Sequence, residues 1–276
     1  LQGARCYSQA RSEQLSYRRG MSWDPDQYLQ FADHRSRPGL ELIRRIPDIE
    51  PTYVVDLGCG TGNLTAVLAD RWPDAEVLGL DASPEMIERA RTDHSSIEWQ
   101  VGDIDTWLPD RPVDLIFSNA ALHWVDRHDL LFPRLRGHLS DTGVLAVQIP
   151  DNWNAPTHRV PATILDEGFW RAEARDALVR DRVSEPGEYM QWVQPAQVDA
   201  WRTTYFQQLT GDDPVWEWVT GSLLRPVLEA FEDVERNRFT AVCKRRYREE
   251  YRVRADGVTV VPFSRLFILA EADASA

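Results

Sequence analysis

An acid and three glycines follow the apolar run Val54-Val55: Asp56, Gly58, Gly60 and Gly62, with Cys59 and Thr61 between the glycines. Residues without a Cβ let backbone pass close to a ligand, so this run suits the cradle of a nucleoside cofactor. Leu64, Val67 and Leu68 then recur at helical spacing until Trp72-Pro73, which places the glycines at a strand-to-helix junction. The next apolar run, Val77 to Leu80, ends in Asp81. An acid about 20 residues beyond such a loop can accept both hydroxyls of a ribose. Ser83-Pro84-Glu85 predicts an N-cap, a first-turn proline and a first-turn acid, with Met86, Ile87 and Ala90 on one helical face. The glycine spacing is GxGxG, not GxGxxG, and is less suited to a pyrophosphate. Cys59 has no histidine near it in sequence and is expected to fill space, not to act as a nucleophile.

These residues, in this order, resemble motif I and its successors in class I S-adenosylmethionine-dependent methyltransferases. The resemblance implies that the glycine loop passes under the methionine part of the cofactor and that Asp81 binds the ribose. It carries the cofactor contacts onto Asp56, Gly58, Cys59, Gly60, Asp81, Ala82 and Met86. Gly102-Asp103-Ile104 matches the family's adenine-binding segment, and Asp114 to Asn119 its fourth strand, whose end at Asn119 lies beside the reactive methyl.

Around these motifs the chain alternates strands and helices from residue 54 to 149, ending in the continuous apolar run Gly143 to Ile149, a buried fifth strand. The expected fold class is α/β: a doubly wound, Rossmann-like, seven-stranded sheet with an inserted helical cap. Residues 21–150 form the cofactor core with an N-terminal lid, and 151–197 with 211–256 the cap over the substrate pocket. Residues 198–210 and 257–272 supply the last strands, the seventh running antiparallel between the fifth and sixth as the family resemblance implies. Residues 1–20, which precede Met21-Ser22-Trp23, are expected to be a disordered extension or tag. Tyr28 and Phe31 lie three apart, either as a lid over the cofactor or as packing on the sheet.

A chain of 276 residues with a net charge of −13 disfavours nucleic-acid partners, which need basic surfaces. No apolar run approaches the roughly 18 residues of a membrane span, and three widely spaced cysteines suit a reducing compartment, so the expected location is the cytoplasm. No CxxC pair suggests a metal, and the oligomeric state stays open. Every basic residue except Lys244 is arginine, whose planar fork matches a carboxylate.

After the fourth strand, Leu122-His123-Trp124 resembles the corresponding segment of carboxylate O-methyltransferases, in which the indole N–H donates to the substrate carboxylate. Trp124 is the candidate for that role and His123 its neighbour; packing under the cap is the other reading of each. Over Met21 to Ala270 the chain resembles the trans-aconitate 2-methyltransferase family. The matching segments are Trp23 to Phe31 with Arg35-Ser36-Arg37-Pro38, Ile149-Pro150-Asp151-Asn152, Trp201 to Tyr205, Glu217 to Ser222, Leu224-Arg225-Pro226 and Pro262 to Phe267. The resemblance implies a small tricarboxylate as substrate, a monomethyl ester as product, S-adenosylmethionine as donor and S-adenosylhomocysteine as by-product. A carboxylate with a pKa near 4 is ionised at pH 7 and can attack the methyl in line, so no catalytic base is expected. Placing the acid falls to Arg225, Arg35 or Arg37, Arg265, Tyr28, Trp124 and His123; for each arginine alone, a surface charge or structural ion pair is the other reading. A methyltransferase for another small acid or acceptor, and a non-catalytic S-adenosylmethionine-binding protein, are the alternatives.

Overall fold

The computed structural model describes residues 32–178, 183–221 and 223–272, with side chains from Ser36 onward. The expectations for residues 1–20, for the lid and for Tyr28 and Phe31 lie outside the described residues, as does the side chain of Arg35.

The described chain begins with α1 (Ala32–Arg45) and continues through β1 (Tyr53–Leu57), α2 (Asn63–Arg71), β2 (Glu76–Asp81), α3 (Pro84–Asp93), β3 (Glu98–Val101) and β4 (Val113–Asn119). A 3₁₀ turn over Leu122–Trp124 leads to α4 (His128–Gly137) and β5 (Leu139–Pro150). Then come α5 (Pro156–Glu167), α6 (Ala172–Asp176), α7 (Pro186–Trp192), β6 (Ala196–Leu209), α8 (Pro214–Thr220), α9 (Arg225–Glu229), α10 (Asp233–Glu250) and β7 (Thr259–Ala272).

The seven strands form one sheet in the order β3-β2-β1-β4-β5-β7-β6. Strands β1 to β5 pair in parallel, and β7 is antiparallel to both neighbours, β5 and β6. This is the doubly wound α/β sheet expected from the sequence, with the seventh strand where the resemblance put it. The central strands are apolar on both faces because helices cover both. On one face α1 and α2 bury Leu42, Ile43, Ile46 and Leu68 against Leu115, Phe117, Ala146 and Phe267. On the other, α4 and the 3₁₀ turn bury Leu122, Leu131, Phe132 and Leu135 against Val55, Ile116, Leu145 and Ile268. Each fully buried Leu or Phe contributes about 1.5–3 kcal/mol.

Helices α5, α6, α8, α9 and α10 gather round a second apolar cluster built on Val160, Leu165, Trp218, Val227, Phe239 and Tyr247. The cluster reaches Leu209 and Val261, at the far end of the β6–β7 ribbon, so the two 14-residue strands carry these helices. Helix α7 departs from the expected cap boundary of 151–197. Its Tyr189, and Val193 just after it, are fully buried with Phe132 and Leu266 in the sheet's own core. Their apolar surface finds the sheet face before it finds the other helices. Strand β5 extends beyond the expected Gly143 to Ile149 at both ends and β6 begins before the expected residue 198, because ladder pairing continues where the apolar pattern stops, while β7 lies within the expected 257–272.

Candidate cofactor and acid site

The glycine loop is held by the chain around it. Gly58, Gly60 and Gly62 adopt φ of 78°, 57° and 82°, the left-handed region that favours glycine. A Cβ on Gly58 would stand 2.1 Å from the Ala121 Cβ, and one on Gly62 would stand 2.3 Å from the Trp99 ring. A Cβ on Gly60 would meet nothing within 4 Å, so the open face of the loop is at its centre. The Gly58 and Cys59 N–H groups both donate to the Leu80 carbonyl, at 2.7 and 3.0 Å. These bonds bring the loop against the end of β2.

There Asp81 closes the junction. Its Oδ2 accepts from the Gly60 N–H and its Oδ1 from the Ser83 N–H, each at 2.9 Å. Each carboxylate oxygen keeps acceptor capacity for a further donor such as a ribose hydroxyl. Burial raises the Asp81 carboxyl above its ordinary range despite these donors. Asp56 is buried under the loop, and the Thr65 hydroxyl donates to it at 2.6 Å. Burial, reinforced by the charge of Asp81, pushes the Asp56 carboxyl up to about 7. The same causes act on Cys59. Burial, Asp56 and Asp81 push its thiol far above the range in which a nucleophilic thiolate forms.

Beyond β2 and β3, a cavity of about 280 Å³ is lined by Leu80, Gln100, Gly102, Asp103, Thr106, Trp107 and Leu108. Its wall includes Leu80, which precedes Asp81, and Gly102 and Asp103 of the Gly102-Asp103-Ile104 segment. Asp103 shapes its wall by accepting from the Asp105 N–H at 2.9 Å. Ile104 reaches towards Gly58, and its carbonyl accepts from Arg134. Ser83 caps α3 as expected, accepting from the Met86 N–H at 3.2 Å, while the Met86 side chain is buried beside the site.

At the end of β4, Ser118 donates to the Leu57 carbonyl at 2.7 Å and locks β4 to β1. Ala120, at φ 55°, then turns the chain so that Ala121 lies against Gly58 and the 3₁₀ turn starts beside the glycine loop. Leu122 is the buried anchor of that turn, while His123 and Trp124 are half-buried with ring centroids 5.0 Å apart. His128 fastens the turn from behind, with Nε2 3.0 Å from the Leu122 carbonyl and Nδ1 2.6 Å from the Tyr189 hydroxyl.

The arginines fall in different settings. Arg225 Nε donates to Glu229 on its own helix at 3.0 Å. Arg37 Nε donates to Glu41 at 2.8 Å, and its guanidinium lies over the Tyr205 ring. Arg265, on β7, is the one arginine among the described residues with less than a tenth of its surface exposed, at 6%. Its guanidinium lies 4.4 Å from the Phe263 ring centroid. The structure thus joins Asp56, Gly58, Cys59, Gly60, Asp81 and Ala121 into one site at the carboxyl ends of the strands, whereas Arg225 sits on α9 among the helices of the second cluster. Sequence reasoning passed over Trp99, which packs under Gly62 and Gly79, and Thr65, which holds Asp56. It also passed over Gln148, a polar interruption of an otherwise apolar strand, and that interruption was the available signal.

The donor set and the open face of Gly60 fit a nucleoside that carries a cationic amino-acid tail. A family model described as a methyltransferase domain matches residues 54–143. The trans-aconitate 2-methyltransferase of Rhodococcus jostii (strain RHA1) is 42% identical over 253 residues, covering 90% of this chain and 99% of that one. That of Escherichia coli O157:H7 (strain EC4115 / EHEC) is 40% identical over 253 residues, covering 90% and 97%. Among solved structures, the YcgJ protein of Bacillus subtilis superposes with a TM-score of 0.53 at 14% identity, covering 84% of this chain and 96% of that one, a likeness of fold.

Proposed function

The chain belongs to the trans-aconitate 2-methyltransferase family, and from that premise we propose that it transfers the methyl of S-adenosylmethionine to a carboxylate of trans-aconitate, giving a monomethyl ester. The observation that carries the reading is the junction of Gly60 and Asp81. It presents a carboxylate with spare acceptor capacity beside a glycine whose outer face is open.

When bound, S-adenosylmethionine supplies an electrophilic methyl on a sulfonium centre. Asp81 would hold the ribose hydroxyls, Gly102, Asp103 and Ile104 with the neighbouring cavity would take the adenine, and Asp56, buried under the loop, would supply negative charge toward the cationic methionine end. Cys59, Ala82 and Met86 would complete the wall, and Asn119, the last residue of β4, would stand near the methyl. The acid needs no base, since it is ionised at pH 7. What the chain supplies is placement and exclusion of water; near-attack positioning is worth about 7–11 kcal/mol in well-oriented systems. Trp124 donates its indole N–H to the acid, His123 lies next to it, and Arg265 supplies buried positive charge. Arg225 and Arg37, with Arg35 and Tyr28 outside the described side chains, are the further candidates for its other carboxylates. Helices α5, α6, α8, α9 and α10 form the cap over this acid.

No helix among the described residues is long and apolar enough to cross a membrane. A net charge of −13 disfavours a nucleic-acid partner, and three widely spaced cysteines support a reducing compartment such as the cytoplasm. The test is incubation with S-adenosylmethionine bearing a labelled methyl and trans-aconitate, read by mass spectrometry. A labelled monomethyl ester is expected. Cofactor binding without ester would overturn the substrate assignment and lead to a screen of other small acids.

A further inference from the structure

We infer that the side-chain amide of Gln148, together with Arg265, seats a carboxylate of the acid substrate; the inference rests on the function proposed above. From Val144 to Ile149 the strand β5 is apolar except at Gln148. Alternation sends Val144, Ala146 and Gln148 to one face, and the first two belong to the cluster beneath α1 that contains Leu42, Phe117 and Phe267. Gln148 has no exposed surface there, and neither its Oε1 nor its Nε2 has a partner among the described residues. An unpaired amide in an apolar layer is disfavoured, and methionine or leucine would fill the same volume without leaving polar atoms unsatisfied. Packing therefore gives no reason for glutamine at this position, whereas a ligand does.

The neighbours say which ligand. Gln148 is in register with Asn119, the last residue of β4, so it stands level with the strand end nearest the reactive methyl. On its other side it pairs with Phe267, which makes Arg265 its diagonal neighbour on the same face. Diagonal neighbours in an antiparallel pair lie about 7–8 Å apart, a span that two long side chains can close on one anion. An ionised carboxylate only accepts hydrogen bonds, and the amide N–H2 and the guanidinium both donate. Glu41 of α1 accepts from Tyr205 and Arg37. Since Gln148 has no exposed surface, the acid reaches it by displacing the part of α1 around Gly39, which lies close against the Asn119 side chain.

The experiment compares the full-length protein with Gln148→Met and Gln148→Glu. KM and kcat for trans-aconitate, the Kd for S-adenosylhomocysteine by calorimetry and Tm are measured on all three. For Gln148→Met, KM rises at least tenfold, the Kd stays within twofold and Tm is unchanged or higher, because the unpaired amide is gone. For Gln148→Glu, KM rises further through repulsion of the acid. An unchanged KM in Gln148→Met overturns the inference, and so does a rise in KM accompanied by weaker cofactor binding and a lower Tm, which marks a structural role. Absence of ester from the unsubstituted protein sinks the proposed function itself, and this inference with it; ester made equally well by all three sinks the inference alone.

Discussion

The Asp81 carboxylate accepts a hydrogen bond from the Gly60 backbone N–H at 2.9 Å, across a sequence separation of 21 residues. One acid therefore orients the glycine loop and is also the proposed acceptor for the ribose hydroxyls. Asp81→Ala removes two backbone partners and the ribose acceptor together. Hydrogen bonds to a charged group are worth about 1.5–3 kcal/mol each, so cofactor affinity should fall roughly 10- to 100-fold or more. Calorimetric titration with S-adenosylhomocysteine checks this, and an unchanged Kd would remove Asp81 from the site.

Gly60→Ala separates strain from occlusion. The added Cβ meets no protein atom within 4 Å, so the fold bears only the left-handed backbone penalty of about 1–2 kcal/mol. If the cofactor covers this face, binding collapses while Tm falls by only a few degrees. Gly58→Ala should instead lower Tm more, since its Cβ would stand 2.1 Å from that of Ala121.

The raised carboxyl of the buried Asp56 predicts that stability and binding depend on pH. Its carboxyl is raised to about 7 in the fold, against about 3.9 in an unfolded chain. Between those values the native state holds the extra proton, so this group's contribution to stability falls as pH rises from about 4 to about 7. Asp56→Asn should flatten that slope in Tm measured against pH. The cationic cofactor favours the ionised carboxylate, so in the unsubstituted protein its Kd should weaken as pH drops below about 7, and the Asn variant should lose this dependence.

Trp124→Phe keeps an aromatic six-membered ring but removes the fused pyrrole with its N–H. Loss of one hydrogen bond to a carboxylate, about 1.5 kcal/mol or more, predicts a roughly tenfold rise in KM for trans-aconitate with cofactor affinity unchanged. Steady-state kinetics with both substrates varied decide it, and an equal KM would leave Trp124 as packing.

Asp213 ties the second helical cluster together, accepting from Arg248 at 2.7 and 2.9 Å and pairing with Lys244 at 3.1 Å. Its own burial opposes ionisation, but these cations hold its carboxyl below the ordinary range. Its stabilisation is therefore present above the unfolded pKa and is lost as pH falls through the folded one. Asp213→Ala should cost about 1–2 kcal/mol at pH 7, moderated because Arg248 can rehydrate, and thermal melts at pH 7 and pH 3 should show the difference shrinking in acid.

The sequence by itself determined the cofactor half of this protein. The glycine run, Asp81 at the end of the next apolar stretch, and Ser83-Pro84 at a helix start are local patterns whose physics acts within a few residues, and the structure places each at the junction they predict. The alternation of strands and helices likewise made the parallel sheet legible, because burial on both faces leaves continuous apolar runs such as that of β5. Tertiary structure alone decided the rest. That α7 packs on the sheet, that Asp56 rises to about 7, and that Gln148 stands level with Asn119 and diagonal to Arg265 all depend on strand register and on burial between segments that lie apart in the chain. Spacing along the chain carries no record of such distances. Arginines dispersed over the sequence look alike until the fold buries one, Arg265, and leaves the others among the described residues at the surface or half-exposed.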